Sequence, residues 1–433
     1  MMSPRYWARW AVEQGGARWF LRLQARRDNP FARLIATAEA LRDPYPQIEA
    51  LRARGRLVHS TYSSATTDYE IIRMMLRDSR FGAFGPDGID MPEWLRARLK
   101  KAQTPPNPVE PPSMLMIDPP EHTRLRKSVS AAFTPRAIGR LRDRVESVTA
   151  ELLDALPPNG SADLIASFAP QVPIAIIAEM LGFPQDKRDE FLAWGDAGSP
   201  LLDIGISWRT WRDAYLAMGV MDDYLDRHLA QLRREPGEDI LSSLVTAGDL
   251  DDRELKATAS LLMGAGFETT VNLIGNGIVQ LLSHPEQLAR LREDPELWPQ
   301  AVDEILRFDP PVTMTARIAL CDTEIEGTKL PAGTVVVMSL AGANRDPRKF
   351  EDPNRFDITR PNAKEHLTFS SGIHTCLGAS LARMEGVHAL RSLFDNFPDL
   401  ALAGAPERRP LYTLHGYAHM PARLGHRATA TVR

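Results

Sequence analysis

Cysteine is almost absent: Cys321 and Cys376 are the two in 433 residues. Two are too few for a disulfide framework, which excludes the small secreted scaffolds and fits a reducing cytoplasm. An excess of charge of one sign is also missing. Lys and Arg number 52 against 56 Asp and Glu, a net charge of −4, so no global field favours nucleic acid and any charged docking surface is local. No apolar run approaches the ~20 residues of a membrane span, and the basic N-terminus lacks the apolar stretch of a signal peptide. No internal repeat or low-complexity tract appears. What is present is 43% apolar residues, ample for a large core, although length alone would predict two or three domains.

The chemistry concentrates at Phe369-Ser-Ser-Gly372-Ile-His374-Thr-Cys376-Leu-Gly378, which feeds into a helical pattern running on to Glu385. A cysteine there suits a thiolate, because the first turn of a helix offers unpaired N–H groups and the positive end of the dipole. Gly372 and Gly378 allow positive φ and close backbone approach, and Phe369 would shield one side of the sulfur from water. A lone cysteine is more often a small buried hydrophobe, but four positions fixed over this short span argue otherwise. Zinc competes poorly, since no Cys or His pair elsewhere complements His374 and Cys376.

Residues 1–30 interleave Arg5, Arg9, Arg18, Arg22, Arg26 and Arg27 with Trp7, Trp10, Trp19 and Phe20. Such a pattern suits either an interfacial helix on a membrane or a terminal helix packed on the domain with its arginines in water. Gly15-Gly16 breaks the pattern in two, so the packed helix is favoured. A helix is expected over 43–53, and strands over 56–63 and 68–72. The stretch 81–112, rich in glycine and then proline, reads as a long functional loop. His122 and Arg126, four apart on a helix that begins after Pro119-Pro120, share one face and call for an anion or solvent.

Helices follow over 137–156, 170–181, 185–194 and 209–232. One long helix spans 251–283, and Leu262, Ala265, Gly266 and Thr269 form a single stripe on it. That stripe is small where it should be bulky, and each glycine inside a helix costs about 1 kcal/mol relative to alanine. Glu268 lies about 100° around from Thr269. Glu304 and Arg307 form an i, i+3 pair, and strands are expected over 316–320, 324–325 and 334–339 with a turn at Pro331-Ala-Gly333.

Asp118-Pro-Pro-Glu-His122-Thr-Arg-Leu-Arg126, Ala265-Gly-Phe-Glu268-Thr269-Thr270, Glu304-x-x-Arg307 and Phe-x-x-Gly-x-x-x-Cys-x-Gly occur in this order. Together they resemble the cytochrome P-450 monooxygenases of the soluble bacterial type, from about residue 43 to the C-terminal strands. The one departure is Ser370-Ser371 in place of a glycine-containing pair. The resemblance implies a mainly α fold with small β-sheets, a single prism-shaped domain with a long central helix over the haem. Its bounds are 43–424, between an N-terminal segment 1–42 and a loose tail 425–433. It implies haem b, with Cys376 as iron ligand and Phe369, Gly378 and Ala265 against the cofactor. His122, Arg126, Arg317 and His374 are implied to hold the propionates. Thr269 and Glu268 are implied to relay protons to the oxygen-binding side, 81–112 and 204–211 to close the substrate pocket, and Arg355 to join Glu304 and Arg307 in a structural triad.

A haem-thiolate monooxygenase inserts one oxygen atom of O2 into a hydrophobic organic substrate. With no flavin or iron–sulfur module in the sequence, an external ferredoxin and an NAD(P)H ferredoxin reductase are expected to supply electrons. Arg124, Arg126, Lys127, Arg136, Arg140, Arg142 and Arg144 are a candidate docking face for an acidic partner. A haem peroxygenase or a haem sensor would share the cysteine loop, but neither needs the Glu268-Thr269 pair.

Overall fold

The computed structural model describes residues 4–59, 63–83 and 104–428. At the N-terminus α1 (Pro4–Trp10) continues through a π-helical turn, Ala11–Gly15, into α2 (Gly16–Arg26). The Gly15-Gly16 pair therefore does not break the pattern as expected. Both glycines hold right-handed helical dihedrals, and the Trp10 indole lies 3.4 Å from where a Gly15 side chain would begin. The wider turn gives that ring its place.

Strands β1 (Val58–His59) and β2 (Ser63–Thr66) pair antiparallel. The strand expected over 68–72 is instead the start of a helix, Tyr69–Met75. Asp68 decides this: its carboxylate accepts the Ile71 N–H at 3.1 Å and caps the first turn, while Ile71, Ile72 and Met75 bury one side. After β3 (Phe81–Ala83), part of the expected long loop, 84–103, lies outside the described residues. Its remainder runs over the helices that carry Gly264 and Gly219. There Pro108 comes within 3.9 Å of a Cβ placed on Gly264, and Pro105 within 4.0 Å of one on Gly219.

Helices then dominate: α3 (Glu121–Ser130), α4 (Gln171–Met180), α5 (Arg188–Gly198), α6 (Trp208–Arg234), α7 (Asp252–Ser283) and α8 (Trp298–Phe308). The long central helix α7 starts at a capping box, Asp251 accepting the Glu254 N–H at 2.8 Å and Glu254 accepting the Asp251 N–H at 3.1 Å. Most of its residues are buried on every side, which is the pattern of a helix through a core and not along a surface. Strands β4 (Met314–Ala319) and β5 (Val335–Ser339) complete a five-stranded sheet in the order β1-β2-β5-β4-β3. Arg317 lies in its middle, opposite Val336 on one side and Ala83 on the other. The last helix, α9 (Ala379–Asn396), follows the cysteine loop directly. The described part of the tail, 425–428, is tied to it by the Ala428 N–H on the Asn396 carbonyl at 2.8 Å.

The expected triad is corrected in one member. Glu304 and Arg307 are fully buried and joined at 2.7 and 2.8 Å, but the third side chain is Arg360, whose Nε lies 3.3 Å from Glu304. Arg355 turns outward, 64% exposed, and contributes only its carbonyl, which accepts from both Arg307 and Arg360. Arg307 also donates to the carbonyls of Asn344 and Pro353, pinning the segment that leads to the cysteine loop. Glu304→Ala strands two buried guanidinium groups and is expected to lower stability by about 3–5 kcal/mol. Arg355→Ala should change it by less than about 0.5 kcal/mol. Urea unfolding midpoints measure both, and equal losses would reverse the assignment.

Candidate functional site

The cysteine loop is built from strained backbone. Ser370 and Gly372 have φ of +62° and +74°. A side chain at Gly372 would begin 2.3 Å from the Leu76 carbonyl oxygen, so glycine is required there on both counts. The Cys376 N–H donates to the Phe369 carbonyl at 2.8 Å and the Thr375 hydroxyl to that of Gly372 at 2.8 Å. Gly378 differs from expectation: its φ is −86° and no protein atom lies within 4 Å of a Cβ placed there. It leaves that side of the loop open without needing left-handed backbone. Phe369 is half-buried, with the Arg383 guanidinium 4.6 Å from its ring centre. Cys376 is exposed, yet the surrounding protein is dense enough that burial raises its thiol above the ordinary value. The Gly378 N–H and the charges of Arg126 and Arg383 pull it back down.

Beside this loop, α3, β4 and the turn before Cys376 bring the four expected donors together. The rings of His122 and His374 are 4.3 Å apart. Both nitrogens of His122 and the Nε2 of His374 are buried without a hydrogen-bond partner. Arg126 donates to the Thr375 carbonyl at 2.6 Å, and Arg317 to the Ala316 carbonyl at 2.9 Å and the Thr315 hydroxyl at 3.4 Å. Burial lowers the pKa of all four, with the arginines pushing both histidines further and His374 reaching about 3. Asp118 is the nearby anion, its Oδ1 4.0 Å from His374, while its two oxygens accept the Ala83 N–H. The basic run expected as a docking face is divided: Arg126 turns inward, Arg124 pairs with Glu254, and Arg144 pairs with Glu179 at 2.8 Å.

Across the core, α7 offers a small-residue opening. Ala265 is exposed and Thr269 partly so, although their neighbours Phe267, Glu268 and Thr270 are buried. The Thr269 hydroxyl donates to the Ala265 carbonyl at 3.0 Å. Glu268 points the other way, 3% exposed. Its Oε1 meets Arg409 at 2.6 Å, and the same guanidinium reaches Asp196 at 2.7 Å, whose side chain is 55% exposed. Burial pushes Glu268 up to about 7 against the pull of Arg409, so it exchanges a proton readily near neutral pH. Its Oε2 is buried, with Asn272 as the neighbouring polar side chain.

Residues 95–406 match the model of the cytochrome P450 family. The chain belongs to that family. It is 45% identical over 426 residues to a Mycobacterium tuberculosis protein designated cytochrome P450 140, covering 96% of this chain and 97% of that one. Identity to vitamin D(3) 25-hydroxylase of Pseudonocardia autotrophica is 40%, covering 89% and 95% of the two chains. Among solved structures, P450BioI bound to an acyl carrier protein carrying hexadec-9Z-enoic acid superposes with a TM-score of 0.83 at 33% identity, covering 89% of this chain and 100% of that chain. The protein is thus a P450 monooxygenase, an oxidoreductase of a haem-iron family. Its residues fit a haem, because the loop thiol, the orphaned imidazole nitrogens and the two arginines form the donor set that an iron and two carboxylates require.

Sequence reasoning missed three residues of this P450. Arg409 and Asp196 lie far along the chain from Glu268, and no local pattern marks them. Glu385, on α9, is buried beside Thr270, and burial lifts its carboxyl to about 8. Its position in the helix after Cys376 was legible, its facing was not. Because that folded value lies above the ordinary 4.5, Glu385 favours folding fully below that ordinary value. Its contribution falls by up to ~1.4 kcal/mol per pH unit as pH rises towards 8. Glu385→Gln should therefore flatten the decline in stability between pH 5 and about 8, as read from denaturant midpoints. An unchanged slope would place the titration elsewhere.

Proposed function

We propose that this P450 holds haem b through the Cys376 thiolate. His122, Arg126, Arg317 and His374 bind the two propionates, and Phe369, Gly378 and Ala265 lie against the macrocycle. The observation that carries this reading is the meeting of the cysteine loop and the donor cluster at one contact, the Arg126 guanidinium on the Thr375 carbonyl. When bound, the haem supplies the oxygen activation and the transfer of one oxygen atom of O2 to a hydrophobic substrate. Cys376 gives the iron an anionic ligand within protein that excludes water. Thr269 offers a hydroxyl on the open side of α7. Glu268, ionised or protonated with similar ease, can hold or give up a proton beside Thr269, and Arg409, which stays protonated, orients that carboxyl and ties it to Asp196 at the surface.

The Glu268-Thr269 pair supports a monooxygenase fed by an external iron–sulfur ferredoxin and its NAD(P)H reductase over a peroxygenase or a sensor, because hydrogen peroxide brings its own protons and electrons. The exposed Ala265 and the relative named vitamin D(3) 25-hydroxylase support an apolar substrate.

Two measurements test the reading. Cys376→Ala should lose the strongly red-shifted Soret band of the reduced carbon-monoxide complex, and its retention would remove Cys376 as the ligand. With a substrate found by spectral binding, Thr269→Ala should keep NAD(P)H oxidation while product per electron falls by about tenfold or more. Full coupling in that variant, or a wild type that turns over only with added peroxide, would overturn the proton relay.

A further inference from the structure

The N-terminal helix has two opposite faces, and the outer one has no structural task. Its inner face is bound into the fold. Arg9 is 7% exposed and meets Glu13 at 2.7 Å and Glu110 at 2.8 Å, while Glu110 also accepts from Thr104 at 3.0 Å and from Tyr215. Trp10 donates to the Ile206 carbonyl at 3.1 Å, Arg18 to that of Gly205 at 2.8 Å, and Gln14 accepts the Gly205 N–H at 2.6 Å. Residues 104–110 and 205–206, which belong to the distal side, are therefore fastened to α1, α2 and the turn between them.

The outer face presents Trp7 and Trp19, 55% and 69% exposed. Each precedes a buried residue, Arg9 or Leu21, by two positions, about 200° of helix rotation, so both indoles point away from the protein. Because the helix is continuous through Ala11–Gly15, they belong to one surface. Arg22 and Arg26, both exposed, flank Trp19 at i+3 and i+7. Between residues 4 and 27 the acid in the sequence is Glu13, and it is turned inward on Arg9. The exposed Leu216 and Val220 of α6 are a different case, since Asp213 and Asp223 share their face.

We infer that this face docks the protein on an anionic lipid bilayer, as a peripheral helix lying in the headgroup plane. Indoles suit the boundary between water and acyl chains, and arginines beside them suit anionic headgroups. A second copy fits less well, because a two-fold contact would set this basic face against itself. No helix among the described residues is long and apolar enough to cross a membrane, so the association is with the surface. Since the inner face of the same helix holds residues 104–110 and 205–206, docking would turn the distal side towards the lipid, where an apolar substrate partitions.

Sedimentation of the full-length haem protein with large unilamellar vesicles tests this. Vesicles of phosphatidylcholine with phosphatidylglycerol should bind the wild type, with a blue shift in tryptophan emission and release by high salt. Vesicles of phosphatidylcholine alone should bind it at least about tenfold less. Trp7→Ala/Trp19→Ala and Arg22→Glu/Arg26→Glu should each weaken binding by about tenfold or more, and an unaltered reduced carbon-monoxide spectrum would show that both variants remain folded. Wild type left in the supernatant with anionic vesicles overturns the inference, as does undiminished binding by both variants. Self-association that Trp7→Ala/Trp19→Ala abolishes, without vesicle binding, would assign the face to a second copy and equally overturn it.

Discussion

Positive charge buried beside unsatisfied donors is the constraint on which the rest of the site depends. Burial and the neighbouring guanidiniums hold His122 and His374 below the ordinary imidazole value, so at neutral pH both are uncharged donors. Arg126 and Arg317 alone carry the charge, since a guanidinium stays protonated even when burial lowers its pKa. The cluster thus carries two fixed charges and two donors whose charge an approaching anion would raise.

Such an arrangement is unfavourable by itself and persists only where the fold fixes every member. Arg317 is held by its strand between β3 and β5. Arg126 is held by the Thr375 carbonyl, which makes the cysteine loop part of the same contact. The loop is in turn fixed upstream. Asn344 donates to the Thr368 hydroxyl at 2.8 Å and accepts the Leu367 N–H at 2.7 Å, and the Asn344 carbonyl is one of those that Arg307 grips. The buried Glu304–Arg307–Arg360 group thereby acts on the placement of Cys376 without touching it.

How much of this was legible follows from the range of each interaction. The long helix with its capping box, the helix bearing His122 and Arg126, and the loop at Cys376 are written in patterns of a few residues, and local physics reproduces them. Arg360 and Arg355 illustrate the limit. Both lie in one short segment, and only the path of the backbone around Glu304 decides which side chain turns inward. Asp68 shows a local signal outweighed: the strand-like run 68–72 carries its own N-cap, and capping with one-sided burial gives a helix. Gly15-Gly16 shows the reverse, a breaker signal overridden because a neighbouring indole packs against the glycine. Arg409 lies beyond any local window, and its place opposite Glu268 is a product of the tertiary fold.

The small-residue stripe on α7 separates into two effects that the sequence merged. At Gly266 an added Cβ would fall 2.9 Å from Cγ1 of Ile177 on α4, so that glycine exists for close helix packing and makes no opening. Gly264 has nearly free space, with Pro108 as its nearest neighbour at 3.9 Å from such a Cβ. Ala265 and Thr269 carry the exposure. Thus α4 is drawn tightly against one side of the helix while the other side stays clear, and the glycine that costs helix stability at Gly266 is offset by packing. Glu268, buried one residue before Thr269, cannot reach solvent along its own helix. Arg409 ties that carboxyl to the exposed Asp196, and because a guanidinium stays protonated the contact orients Glu268 and carries no proton itself.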